Sequence, residues 1–426
     1  MATSRALDKV LGYRIEESFG EVASSPTVFS ASLVIDPNPA SLKRAVLENN
    51  NERATPSVSH TRVRALQSDS TFPFSMHLTR LPVTAAEGAY PNLSDASCYL
   101  AQFMRATFGG LSASMAPAAQ SSSTNVLTVT NSVPYGAGDF IRGGNDGSGY
   151  HFYRVISGSS PTTLTLDRNS EVSAALWDQS NSVACVWHAT SSYSDASSAS
   201  NVTLGLHFQG AATGITMRGC KPNVEFQTIE PGVPATMGVT MMVTQFTQHS
   251  GTVASLAQLS RPSGLSPVVI GKGTRRTQIL VAEFGSSMAS IGSVVYGVTP
   301  VTALVNEKIP SITGVEGVGG FAANPGVELG IDVSLPYDAV TWKAAFENGT
   351  VFHLLANYGG EFGCYYPALE LAEDPSREEN NNLESMVLKF RAVTIPTLLT
   401  WTQNATAERN ERNQSPEQWL FPALNA

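Results

Sequence analysis

The chain has 426 residues, of which 14% are charged, and its formal net charge is −9. That charged fraction lies well below the roughly 25% usual for a soluble domain and points to a surface largely covered in an assembly. The acidic balance, with no long basic run, excludes a dedicated sequence-specific nucleic-acid binder, and the absence of any run of about 18 apolar residues excludes a membrane-spanning helix.

The opening MATSRALDKVLGYRIEESFG lacks the apolar core of a secretion signal, so a soluble chain, intracellular when made, is expected. Phe74, Met76 and Leu78 alternate with polar neighbours as in a half-buried strand, which ends at Leu81-Pro82 because proline cannot extend a central ladder. A helix is expected next, capped by Ser94 or Asp95, with Tyr99, Leu100, Phe103, Met104 and Phe108 as its apolar stripe and Gly109-Gly110 as its stop. Ser/Ala-rich linkers at 112–123 and 190–201 bracket strand and turn signals (VLTVT, YGAGD, YHFYRVI, TTLTLD, SVACVW), which read as a small inserted β domain over 111–200. Its aromatics Tyr150, Phe152, Tyr153, Trp177 and Trp187 suit a small core better than a sugar platform.

Strands are expected at VTLGLHFQG, VEFQTI and ATMGVTMMVTQF, and again at VELGIDVSL, where Val327, Leu329, Ile331, Val333 and Leu335 alternate with Glu328, Gly330, Asp332 and Ser334. A second helix follows, capped by Asp338, lined by Ala339, Trp342 and Phe346 and stopped by Gly349. The strands TVFHLLANY, YPALEL and LESMVLKFRAV complete the pattern. The tail from Thr406 to Ala426 is polar and then reads WLFP. An exposed Trp-Leu-Phe cluster is costly, so Trp419, Leu420 and Phe421 are expected to strap onto a neighbour, a disordered arm being the alternative.

These elements repeat. Gly219, Met242, Val243 and Phe246 recur 144 positions later as Gly363, Met386, Val387 and Phe390, whereas Asp95, Ala96, Ala101 and Phe103 recur 243 later as Asp338, Ala339, Ala344 and Phe346. The difference of 99 is the insert. One helix over an antiparallel sheet, made twice, gives a mainly β chain with α+β character. The expected division is 1–110 with 201–260, the insert 111–200, a second domain 261–405, and a C-terminal arm 406–426.

Chemistry-bearing patterns are sparse. Cys98, Cys185, Cys220 and Cys364 stand far apart, the seven histidines form no metal-ligand pair, and Asp139, Asp146 and Asp167 flank turns without a calcium-loop spacing. No nucleophile elbow is present, so no enzyme activity, cofactor or metal is expected. The acidic residues worth following are Glu225 and Glu230 after one Gly-Cys pair, and Glu361, Glu370, Glu373, Asp374, Glu378, Glu379 and Glu384 after the other. Pro375 and Asn380-Asn381-Asn382 make the run from Glu370 to Glu384 read as a solvated hairpin turn.

Four stretches carry a family resemblance: GYRIEESFGEVAS, FPFSMHLTRLP with its helix, GITMRGCKPNVEFQTIEPGVPATMGVTMMVTQF, and EFGCYYPALELAEDPSREENNNLESMVLKFRAV. Together they resemble the tail tube proteins of phages with long non-contractile tails, in the form with a duplicated tube domain. The resemblance implies a trimeric ring of pseudo-sixfold symmetry whose sheets join around a lumen. Rings stacked head to tail, through loops such as 37–72 and 305–326, form a virion tube assembled in the host cytoplasm. Double-stranded DNA passes through it without sequence recognition. The implied partners are further copies of the chain, a tape measure protein inside the tube, and tail terminator and distal tail proteins; no membrane is involved. Glu225, Glu230, Glu361, Glu370, Glu373 and Asp374 become candidates for the lumen or ring contacts. A distal tail, terminator or baseplate hub protein is the alternative, and a β-rich enzyme a third.

Overall fold

A computed structural model of the chain describes, a few positions within them excepted, residues 10–20, 34–35, 42–49, 63–82, 103–114, 119–129, 138–169, 183–189, 203–250, 269, 277–393 and 417–424. It is mainly β, with curled antiparallel sheets, and Ala339–Glu347 is the one complete helix among the described residues. The first long sheet runs Val10–Ile15, Leu204–Gln209, Thr213–Phe226, Thr236–Ser250, Ser70–His77 and Val34–Ile35. The second runs Thr277–Glu283, Phe352–Tyr358, Phe362–Leu371, Leu383–Ala392, Gly326–Pro336 and Gly297–Val305, with Ala289–Ser290 added at its first edge. With that short edge strand set aside and the six strands of each sheet ranked by position in the chain, both orders are first, fourth, fifth, sixth, third, second. Between its second and third strands each has a hairpin, Ala45–Asn49 with Val63–Gln67 in one and Lys308–Val315 with Val318–Phe321 in the other.

The ladders sharpen this likeness and correct the sequence alignment. A β-bulge interrupts the fourth and fifth strands of each sheet: Leu204 and Leu206 face Cys220 and Met217, while Phe352 and Leu354 face Leu369 and Tyr366. Phe352 lies 148 positions after Leu204, and Leu369 lies 149 after Cys220. The next ladder keeps that spacing, since Cys220 faces Val243 and Leu369 faces Ala392. The expected spacing of 144 is thus short by five. An odd slip exchanges the two faces of a strand. At 144, half-exposed Met242 is set against buried Met386; at 149, Met237, Val239 and Met241 match Met386, Leu388 and Phe390, all buried. The two Gly-Cys pairs also differ in backbone: Gly219 sits at the bulge with φ 55°, whereas Gly363 pairs regularly with Asn357.

Alternation buries one face of each sheet. Phe72, Phe74 and Met76 line the first and Leu329, Ile331, Val333 and Leu335 the second, within one continuous core. The helix covers the second with Trp342, whose ring lies 5.7 Å from Phe352 and 6.0 Å from Phe390. Gly349, at φ 59°, ends it as expected, but Asp338 makes no side-chain capping bond. In the region of the first expected helix, Phe103, Ala106 and Thr107 are helical; Ser94, Asp95, Tyr99 and Leu100 lie outside the described residues.

The insert carries a five-stranded sheet and packs on the second long sheet. Phe140 and Phe152 share a core with Leu280, Leu355, Tyr365 and Leu420, and Asn357 Nδ2 donates to the Tyr150 carbonyl at 2.9 Å. Tyr150, Phe152 and Tyr153 are core residues here; Trp177 lies outside the described residues. Asp167 in the insert forms a buried ion pair with Arg168 at 3.3 Å.

Candidate functional site

The faces opposite the core are polar where the insert does not cover them, and they meet at a joint inside the chain. The ladder of Thr213–Phe226 with Leu204–Gln209 stops at Cys220, leaving that side of the strand open beyond this point. Gly297–Val305, the far edge of the second sheet, fills the opening. Ile229 N donates to the Val298 carbonyl at 3.3 Å, Asn306 Nδ2 to the Pro222 carbonyl at 3.3 Å and to Asn223 Oδ1, and Lys308 Nζ to the Val243 carbonyl at 3.2 Å. A cleft of about 670 Å³ spans the joint, lined by Ser75, Asn223, Glu225 and Thr240 from one sheet and Thr299 and Val301 from the other. The two polar faces therefore adjoin as one concave wall.

Across the second sheet this wall is a lattice of ion pairs. Arg391 donates from Nε to Glu328 Oε1 at 2.9 Å and from Nη1 to Asp332 Oδ1 at 2.6 Å. Lys389 pairs with Glu373 at 2.7 Å, Arg377 pairs with Glu384, and Glu370 stands opposite Arg391 in the ladder. The carboxylates raise the proton affinity of Lys389 through the Glu373 hydrogen bond. Lys221, on the corresponding side of the first sheet, is buried with its ammonium 5.9 Å from the Phe321 ring, and burial lowers its pKa to about 8.

Of the residues expected at a lumen or ring contact, Glu225, Glu370 and Glu373 lie on this wall, and Asp374 is exposed beside them. Glu361 does not. It is buried in the turn joining Phe352–Tyr358 to Phe362–Leu371, where Asn357 Oδ1 accepts from Gly360 N at 2.7 Å beneath the insert. Glu230 lies outside the described residues. Glu378, Glu379 and Glu384 are exposed in the hairpin Arg377–Asn380 with Leu383–Ala392. Glu328, Asp332, Lys389 and Arg391 are not among the expected contact residues, although the alternation of VELGIDVSL puts Glu328 and Asp332 on the outward face.

The C-terminal strap seats in its own chain. Gln418–Leu424 pairs antiparallel with Val183–Ala189 and with Gly363 to Tyr365, and parallel with Leu81–Pro82. Trp419 and Leu420 are fully buried, Trp419 stacking on Phe226 of the first sheet at 3.9 Å and lying 6.4 Å from Phe362 of the second; Phe421 faces Cys185 in the ladder.

Among the described residues no cluster of three or more His, Cys, Asp or Glu is arranged to hold a metal, and no helix is long and apolar enough to cross a membrane. No protein-family model matches the chain, and no curated protein matches it.

Proposed function

We propose that this chain is the structural subunit of a phage tail tube of the long non-contractile type, with two tandem tube domains. Its rings stack into a channel that conducts genomic DNA. The observation that carries this reading is the repeated unit: two sheets of identical strand order, bulge position and register, joined within one chain where an edge strand of one fills the open side of an inner strand of the other. A joint that links two like units can be made again between chains. The counterpart of the strand that receives Gly297–Val305 is Phe362–Leu371, and the counterpart of Gly297–Val305 is Val34–Ile35. A second copy supplies that edge, so successive chains repeat the joint, and closure after three chains gives a ring of six units. The hairpins at Lys308–Val315 and Ala45–Asn49, within the loops expected to make axial contacts, stand at one end of each unit and carry the stacking.

The wall supports passage rather than capture. Lysine and arginine free to meet phosphates would hold DNA. Here Arg377, Lys389 and Arg391 are engaged by carboxylates. The partners that follow are further copies of the chain, a tape measure protein inside the tube, and terminator and distal tail proteins at its ends, in a virion assembled in the host cytoplasm.

Negative-stain electron microscopy of the full-length protein, concentrated at low salt, tests the reading. Hollow filaments of constant width with a regular axial repeat are expected. Isolated rings would instead assign the chain to a tail terminator or distal tail role, and particles with no ring would overturn the proposal.

A further inference from the structure

We propose that Gln418–Leu424 is a proton-controlled latch, docked while Glu417 at its root is uncharged and released as pH rises. The inference stands on the fold alone and does not depend on the tube reading. Release is topologically simple, because the strap is the last described strand and both long neighbours keep a partner without it. Val183–Ala189 retains Gly109–Ser114, and Phe362–Leu371 retains Phe352–Tyr358. What release uncovers is a slot between two strand edges, floored by Phe226 and Phe362.

Glu417 is fully buried where the strap enters this slot. Cys364 Sγ donates to its Oε1 at 3.6 Å. The titratable groups that face it are Cys364 and Tyr366 on Phe362–Leu371 and Tyr358 on Phe352–Tyr358; Thr302 contributes a hydroxyl from Gly297–Val305, and Trp419 its indole from the strap. Burial holds the thiol and both phenols well above their ordinary values, so all three are neutral at physiological pH. A carboxylate buried among neutral groups is unfavourable, and Glu417 docks as the acid. Burial pushes its pKa up to about 7, against the nearby Tyr366 hydroxyl, Trp419 indole, Cys364 thiol and Thr302 hydroxyl, which pull it down.

The sign follows from linkage. Undocked, Glu417 ionises above its ordinary 4.5; docked, it keeps its proton to about 7. Docking is therefore tightest below pH 4.5, weakens by about tenfold for each pH unit between those values, and is level above pH 7.

Cys364 lies under the strap, whereas Cys220, equally buried, lies in the first sheet near Glu16. Alkylation of the full-length protein with iodoacetamide, resolved by peptide mass spectrometry, gives the Cys364 to Cys220 labelling ratio and cancels the intrinsic thiol titration. The ratio is expected to rise about tenfold per unit from pH 5 to 7 and then level, and to be flat in Glu417→Gln. A pH-independent ratio in the unaltered chain would overturn the latch, as would an undiminished rise in the variant. Should the variant not fold, hydrogen exchange decides on the unaltered chain. Amides of 417–424 must gain exchange relative to those of 236–250, after correction for intrinsic rates, over the same pH interval; parallel behaviour sinks the idea.

Discussion

Glu16 ties three separate pieces of the first sheet to one carboxyl. Its Oε1 accepts from Gly219 N at 2.9 Å, and its Oε2 accepts from Thr203 Oγ1 at 2.7 Å and Gly20 N at 2.9 Å. The bulge thus has its otherwise orphaned amide satisfied by a side chain from Val10–Ile15's own end. Removing a buried acceptor that serves three donors costs about 3 kcal/mol, so Glu16→Ala should lower the urea midpoint without changing the dependence on denaturant. Gly219→Ala should cost about 2 kcal/mol, because a Cβ at φ 55° meets Thr244 Oγ1 at 2.2 Å. An unchanged midpoint in either variant would remove this account of the bulge. The sequence showed GYRIEESFG as a patterned stretch but not its purpose: two of the three partners of Glu16 stand 187 and 203 residues away, and no local periodicity encodes such a contact.

Strands were legible wherever one face is buried and the other wet, because alternation then writes the strand into the sequence. Gly326–Pro336 is the clearest case, with Leu329, Ile331, Val333 and Leu335 inward and Glu328 outward. Phe352–Tyr358 and Phe362–Leu371 are covered on both sides, by the core and by the insert, so periodicity could not phase them, and the repeat was aligned five residues short. The strap was legible from composition alone, since Trp419 and Leu420 had to be covered, yet composition does not say by which chain. Because Trp419 here bridges Phe226 and Phe362, Trp419→Ala should destabilise the subunit itself by about 4 kcal/mol. Thermal unfolding at pH 5, where the strap is docked, under conditions that keep the protein monomeric measures this. A midpoint equal to the unaltered chain's would mean that the strap contributes nothing within its own subunit and acts only between chains.

At the scale of the whole molecule, the net charge of −9 carried the sign of the wall but not its arrangement. The wall does hold cations, and Arg391 sits in the fork of Glu328 and Asp332 and Lys389 on Glu373. Neutralising the fork with Glu328→Gln and Asp332→Asn keeps shape and hydrogen-bonding capacity but removes the two negative charges that balance the Arg391 guanidinium. In the proposed ring of three chains that would be three such cations at one level of the channel, repeated at every level of the stack. Each phosphate contact adds about 0.9 to the salt dependence of binding, so tubes of the double variant should retain double-stranded DNA at low salt and release it steeply as salt rises. Tubes of the unaltered chain should retain little at either. The measurement is sedimentation of assembled tubes with labelled duplex across a salt series. If the variant and unaltered tubes carry DNA equally, the polar faces do not line a DNA channel, whatever the filaments look like.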